Sequence, residues 1–448
     1  MRIFFTTVFL TALLATANLM AQQGSEVLVN LSSMPFDNSI NQKKGKTLLE
    51  LPFFDDFSRG ETSPTSELWS SSGVYVNTTY AINSRSIGVA SFDALNHKGN
   101  LYDNASTFSF SADTLTSHDI DLSYPEDTTV YISFVFQPQG LGYAPSSKDS
   151  LVLEFYDNTL GEWIGAWVAW VDFGGDSLCH KQKISTEKLT VIKSDTLHRT
   201  FHRAHFPILD ERFLTENFRF RFRNYATLQQ NATVPGLLAN CDHWHIDQLY
   251  IDVNRAYDDT LLYDITFARP LGSILNNYES IPWNHFNSQA QSAELTNPLY
   301  FSILYRNLNL DEDPSGRQVT RRFSILNQST QESYNFSSAA ENIAPLSDFL
   351  LNREYFYEFE SAWTDSAKFE FTSYLITDDL QPFRWNDTVS YTQQFINYYA
   401  HDDGSAESGY GLYGEGTQNA QVAVKFNSYD YDKLVGVYMY FNRAKDDA

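Results

Sequence analysis

The chain has little of several things, and each scarcity excludes something. Two cysteines in 448 residues, Cys179 and Cys241, cannot staple a disulfide scaffold, and their spacing leaves open whether they pair with each other. Cationic side chains are outnumbered, 31 Lys and Arg against 55 Asp and Glu, giving a net charge of −24. That balance repels phosphate backbones and anionic lipid surfaces, which argues against a nucleic-acid partner. Charged residues make up only 19% of the chain while aromatics reach 15%, a profile that excludes general disorder and favours β-sheet. Beyond the N-terminus no apolar run is long enough to span a bilayer; Trp163 to Val171 is typical. No segment after the N-terminus carries a long, capped 3.6-residue pattern, so a helical fold is not expected.

The long apolar run that is present lies at the start. Arg2 precedes the stretch Ile3 to Leu19, and the small residue Ala21 precedes the polar Gln22-Gln23-Gly24. This is the layout of a secretory signal peptide over residues 1–21, with cleavage after Ala21. No stop-transfer charges follow, so a transmembrane anchor is not expected, and no cysteine stands at the cleavage point to carry a lipid. The mature chain is then an exported, soluble protein of the cell surface or medium, long enough for two or three domains.

Residues 22–48 read as an N-terminal linker, and a first domain runs from 49 to 254. It opens on Phe53-Phe54-Asp55-Asp56-Phe57, with Trp69 behind it, and closes on Asp242 to Asp252. Between these ends the chain alternates. Val130, Ile132, Phe134 and Phe136 share one strand face, Leu151, Leu153 and Phe155 another, and Phe218, Phe220 and Phe222 a third. Turn residues separate them at Pro138 to Gly142, Pro145-Ser146-Ser147, Asn158 to Gly161 and Gly174-Gly175-Asp176. Two packed antiparallel sheets follow, with the opening and closing segments as first and last strands.

The pattern restarts after Asn254. Asp264 to Phe267, Leu299 to Tyr305, Arg321 to Ile325 and Tyr355 to Phe359 read as strands of an immunoglobulin-like sandwich over 255–395. Residues 396–448 open on His401-Asp402-Asp403-Gly404, like the start of a second jelly roll, with a strand expected at Lys433 to Phe441. So short a unit buries little surface, which makes it a partial or truncated sandwich. The fold class expected is all-β, as tandem β-sandwiches.

The segments Val74 to Asn77, Ile87 to Asn96, Asp242 to Asp247 and Tyr399 to Gly404 resemble those of large surface or secreted proteins of Bacteroidota exported by the type IX secretion system. The first domain is similar to the MAM-type jelly roll, which opens on an aromatic-acidic segment and closes on a strand bearing Asp. The resemblance implies export, a cell-surface role and secretion-system components among the partners. Two departures stand beside it: the cysteine pattern of animal MAM domains is missing, and no C-terminal sorting domain is read by residue 448. Asp followed by Ser or Thr recurs at Asp113, Asp127, Asp149, Asp176, Asp195, Asp259, Asp365 and Asp387, which resembles the O-glycosylation acceptors of such proteins and equally suits turn capping.

Several constellations are candidates for chemistry. Gly175-Asp176-Ser177-Leu178 matches the nucleophile block of the GDSL esterases, with Asp242-x-x-His245 to complete a triad, but those enzymes need a helix after the serine. His243, His245 and Asp247 alternate on one strand face like metal ligands, whereas His198, His202 and His205 scatter over both faces. Glu354, Glu358 and Glu360 share a face as glycosidase carboxylates would, without the Glu-x-Asp-x-x-Glu run of jelly-roll glycosidases. Asp311, Asp313 and Gly316 suggest a calcium loop, but Pro314 departs from the EF-hand pattern.

Two candidates are carried forward. Trp163, Trp167 and Trp170 offer an aromatic platform for the apolar faces of sugar rings. Asp55, Asp56 and Asp247 come together if the first and last strands are neighbours, and packed carboxylates call for a cation, here a structural calcium; the MAM-type resemblance implies the same. No catalytic set is assigned. The reading is a non-catalytic exported protein that binds glycan or a surface protein. The alternatives are a secreted esterase or glycosidase, separable by whether a helix follows Ser177, and a structural component of an outer-membrane secretion or motility assembly.

Overall fold

Strands with one apolar face must pair that face with another sheet, and the alternation in this chain is met in that way. In the computed structural model of the chain, the described residues are 25–29, 48–59, 62–173, 175–184, 187–228, 242–259, 262–309, 316–404, 409–413 and 417–439. The expected signal peptide, most of the linker, Cys241, Asp311 and Asp313 lie outside them.

The chain runs through β1 (Ser25–Val29), β2 (Leu48–Leu49), β3 (Phe53–Asp55), β4 (Trp69–Ser72), β5 (Tyr75–Asn77), β6 (Val89–Phe92), β7 (Phe110–Ser117) and β8 (Asp119–Ile120). It continues through β9 (Tyr131–Pro138), β10 (Ser150–Asp157), β11 (Glu162–Val171), β12 (Ser177–Gln182), β13 (Lys188–Lys193), β14 (His202–Pro207), β15 (Phe220–Ala226) and β16 (Trp244–Asp252). One sheet is ordered β13-β12-β11-β10-β15-β7-β4 and the other β14-β9-β16-β6-β5, with β3 added beside β16. Their facing sides form one core, in which Phe134, Phe136, Leu151, Leu153, Phe155, Phe218, Phe220 and Phe222 all meet. The three strand faces read from the alternation are therefore the inner faces of a sandwich.

The opening and closing segments pair antiparallel, with Leu249 opposite Asp55, Tyr250 opposite Phe54 and Ile251 opposite Phe53. Trp244, Ile246, Leu249 and Ile251 of β16 all enter the core. Two inward residues three positions apart require an irregularity, and Gln248 supplies it with φ of 51° where the register shifts.

A second core belongs to β17 (Ile265–Phe267), β18 (Leu299–Asn307), β19 (Arg317–Asn327), β20 (Glu332–Ser337), β21 (Glu341–Ile343), β22 (Asp348–Tyr355), β23 (Ala367–Ile376) and β24 (Thr388–Phe395). Strands β17-β18-β22 form one sheet and β20-β19-β23-β24 the other, with β21 also on β19. Short helical turns, Trp283–His285, Phe286–Ala290 and Gln291–Glu294, fill one side of this core with Trp283, Phe286 and Ala290. One expected strand is displaced: β22 ends at Tyr355, and Phe356 to Glu360 lie beyond it.

The two sandwiches touch. Phe54 and Tyr250 of the first pack edge-on against Phe383 of the second at 4.5 and 5.5 Å between ring centroids.

Beyond residue 395 the chain folds back. Ala400 bridges to Ser280, and Tyr399 and Tyr429 pack around Tyr278. β25 (Gly409–Tyr413) pairs antiparallel with β1. The strand expected at Lys433 to Phe441 is not formed among the described residues 433–439, and Leu434, Val435, Val437 and Tyr438 there are exposed.

Candidate functional site

The outward side of the seven-stranded sheet carries the tryptophans. Along β11, Trp163 lies opposite Tyr156, Gly165 opposite Glu154 and Trp167 opposite Leu153, because the register shifts between Leu153 and Glu154. Ala166 is the extra residue of that bulge. Trp163 and Trp170 consequently stand half-buried on the outer face, while Trp167 points into the core with 1% exposure. There it packs edge-on to Phe134 and Phe136, and its Nε1 donates to His180 Nδ1 at 3.1 Å. Trp167 is thus removed from the expected platform. Seven residues separate the remaining two, roughly 23 Å of strand at 3.3 Å per residue.

Sequence reasoning missed what stands beside them, across β10. Phe218, Phe220 and Phe222 face inward, so Arg219, Arg221 and Arg223 face outward from the same stretch. Arg219 lies over the Tyr156 ring at 4.2 Å, Arg221 over Trp163 at 4.2 Å and Arg223 over Tyr225 at 5.7 Å. Glu154 is shared between Arg221 at 2.5 Å and Arg223 at 3.2 Å, and Arg219 pairs with Asp119 at 3.1 Å. Burial raises the Glu154 pKa, and Arg223 and Lys183 pull against that rise. On the next strand Lys181 pairs with Glu187 at 2.9 Å. Leu189 and Val191 of edge strand β13 lie on the same face, opposite Lys181 and Cys179, and are exposed.

The catalytic candidates do not assemble. Ser177 begins strand β12, paired with Lys193, and no helix follows it. Its amide donates to Asp172 Oδ1, which makes it a turn residue. His245 and Asp247 share one side of β16 and His243, just before its start, lies with its ring 6.3 Å from that of His245, but all three are fully buried rather than solvent-facing. His245 Nδ1 lies 2.7 Å from Ser91 Oγ and its Nε2 3.1 Å from Gln139 O, and burial pushes its pKa down to about 4. His243 Nδ1 accepts from the Tyr143 amide at 3.1 Å. The loop after β9 covers both rings so closely that a Cβ on Gly142 would lie 2.2 Å from His243 Cγ. Glu354 is on β22, whereas Glu358 and Glu360 follow its end, so no strand face carries the three carboxylates together. The recurring Asp-Ser and Asp-Thr pairs include turn caps: Asp127 Oδ1 accepts from Thr129 N, and Asp149 Oδ2 from Ser146 N.

The opening acids divide between the two sides of β3. Asp55 turns inward, where Trp69 Nε1 donates to it at 2.6 Å and the Phe57 amide at 2.9 Å; burial raises its pKa to about 6. Asp56 turns outward to Ser58 and to Asn386 Nδ2, and burial raises its pKa as well. Asp247 accepts from Ser86 N and Oγ and from Gln248 N; burial and the neighbouring Asp56 push its pKa up to about 8. Asp56 therefore raises both Asp55 and Asp247, while Asp55 and Asp247 turn to separate sets of donors. All three are filled by N–H and O–H donors, and no group of three or more His, Cys, Asp or Glu residues converges as a metal site among the described residues. These residues do not fit a shared calcium ion.

No family model matches the sequence, and no curated protein matches it. Solved structures to which this chain shows a likeness include TmCBM61 in complex with beta-1,4-galactotriose, at 12% identity and a TM-score of 0.23, over 44% of this chain and 94% of that one. The tandem CBM22-1-CBM22-2 domain of Paenibacillus barcinonensis Xyn10C gives 10% and 0.24, over 76% and 95%. Bacteroides uniformis beta-glucuronidase gives 9% and 0.21, over 67% and 28%. Overlaps this low assign neither family nor ligand.

Proposed function

We propose that this chain is an exported, non-catalytic binding protein that holds an extended carbohydrate chain on the outer face of its first sandwich. The observation that carries the reading is the placement of Trp163 and Trp170 on that face, on one strand, with Tyr156 and Tyr225 beside them on β10 and β15. Aromatic side chains turned away from a core already rich in aromatics are in the position where sugar rings stack, through their apolar C–H faces, on indole. The separation of the two indoles favours a polymer over a single sugar. The rigid sheet supplies the preorganisation that weak stacking contacts need. The esterase and glycosidase alternatives lose support because Ser177 and the three glutamates are not placed for chemistry.

Affinity electrophoresis of the purified chain through gels containing soluble polysaccharides tests the proposal. Retardation by at least one polysaccharide is expected, and Trp163→Ala and Trp170→Ala should each reduce it. Wild-type migration of both variants in a retarding gel, or no retardation by any polysaccharide, would overturn the reading.

A further inference from the structure

Resting on that reading, the charge of the same face specifies the kind of polysaccharide. The whole chain has 31 cationic side chains against 55 acidic ones. On this face the balance reverses. Arg219, Arg221, Arg223, Lys181 and Lys183 stand together, and the carboxylates pairing with them are Asp119, Glu154 and Glu187. Lys183 closes the row, since its Nζ lies 3.6 Å from where a Cβ on Gly165 would sit, beside Trp163. A local cationic excess in so acidic a chain is a placed feature.

The arginines are also held for a ligand. Successive outward positions on β15 lie two residues apart, roughly 6.6 Å along the strand. Stacking on Tyr156, Trp163 and Tyr225 fixes each guanidinium against an aromatic plane. Glu154 divides its charge between Arg221 and Arg223, so neither has a carboxylate of its own. Arg221 and Arg223 each keep 17% of their side-chain surface exposed, the part a ligand can reach. A guanidinium in this state takes an additional planar anion in charge-assisted contact.

We infer that the outer face of the first sandwich selects acidic polysaccharides, in which carboxylate or sulfate groups meet Arg221 and Arg223 while neighbouring sugar rings lie against the side of Trp163 that Arg221 does not cover. A polyanion approaching the rest of this chain is repelled, so the same charge pattern that excludes general adhesion to acidic polymers directs them to one sheet.

The test uses the full chain and pairs of polymers that share a backbone and differ in a charged substituent: polygalacturonate against its methyl ester, and dextran sulfate against dextran. One acidic polymer should bind at least about tenfold tighter than its neutral partner, the factor expected of one hydrogen bond to a charged group, and the preference should fade at high salt. Whether polygalacturonate or dextran sulfate shows it identifies the anion. Arg223→Gln should cut the preference several-fold, and an undiminished preference would overturn the inference. Because loss of an arginine can unsettle Glu154, a second variant works in the opposite direction: Glu154→Gln frees both guanidiniums and should tighten acidic binding several-fold. Equal binding of acidic and neutral polymers, still sensitive to Trp163→Ala, overturns this inference and leaves the proposed function standing. Absence of binding to all four overturns this inference, and with no retardation by any other polysaccharide the proposed function as well. Equal capture of polyglutamate would show an unselective cationic patch and overturn the inference.

Discussion

Asn386 Nδ2 donates to Asp56 Oδ2 at 2.7 Å and to Asp264 Oδ2 at 2.9 Å, so one carboxamide of the second sandwich holds a buried carboxylate from each sandwich. Asn386 and Asp264 are fully buried and Asp56 is 2% exposed. Replacing Asn386 by Ala withdraws both donors, leaving Asp56 with Ser58 alone and Asp264 Oδ2 without its donor, a change that costs about 1–3 kcal/mol for each unsatisfied group. Thermal melts of Asn386→Ala should show a large drop. Asn386→Asp should be worse, because it adds a third acid in place of the donor.

The same joint makes stability depend on pH. Burial and a neighbouring acid push Asp247 to about 8, beside Asp56, and Asp387 to about 8, beside Asp379, with Arg384 and Arg317 pulling Asp387 the other way. Both folded values exceed the ordinary 3.8, so the stability these groups contribute is complete below 3.8 and is lost as pH rises through 8. Buried histidines act oppositely: His180 and His245 are pushed down to about 4, so they favour folding as pH rises from 4 towards 6.5 and add nothing above it. The clean window is therefore pH 6.5 to 8, where melting temperature should fall, by at most about 2 kcal/mol of stability for each acid. Asp387→Asn should flatten that fall. A melting temperature that is constant or rising across the window would contradict these assignments.

The alternation of Phe218, Phe220 and Phe222 disclosed a strand and its inner face from spacing alone, as it did at Val130 to Phe136 and Leu151 to Phe155. The intervening Arg219, Arg221 and Arg223 were equally legible as the outer face. Their meaning was not, since it depends on Tyr156, Trp163 and Glu154, which come from other strands. The tryptophans went astray for a different reason. In an unbroken strand, period two puts Trp163 with Trp167 and opposes Trp170; one bulge residue reverses the parity and puts Trp163 with Trp170. A bulge leaves no composition signal. His243, His245 and Asp247 were assigned to one side correctly, but their burial depends on a loop about a hundred residues away.

Calcium offers a third test. The carboxylates of Asp55, Asp56 and Asp247 are occupied by Trp69, Phe57, Ser58, Asn386, Ser86 and Gln248 donors, which leave no common point for an oxygen-ligated cation. Melting curves in excess chelator and in millimolar calcium should therefore coincide. A rise with calcium, following mass action and lost in Asp56→Asn together with Asp247→Asn, would restore the site.

The loop over the buried histidines leaves no room for a side chain at its glycines. Gly140 has φ of 59°, and a Cβ there would lie 2.3 Å from Tyr80 O; at Gly142 it would lie 2.2 Å from His243 Cγ and 2.3 Å from Nδ1. The ring cannot retreat, because its Nδ1 accepts the Tyr143 amide while the His243 carbonyl accepts the Gln139 amide at 2.8 Å. Gly142→Ala must therefore lift the loop or displace the ring, an overpacking cost of about 1–3 kcal/mol or more. Gly272→Ala is the control, since nothing lies within 4 Å of its added Cβ. Thermal melts should show a clear loss for Gly142→Ala and almost none for Gly272→Ala. The loop sits on the other sheet from Trp163, so polysaccharide retardation of the folded Gly142→Ala protein should match wild type. Equal melting of the two variants would show that the loop does not press on His243, and a loss of retardation would place the binding face on this sheet instead.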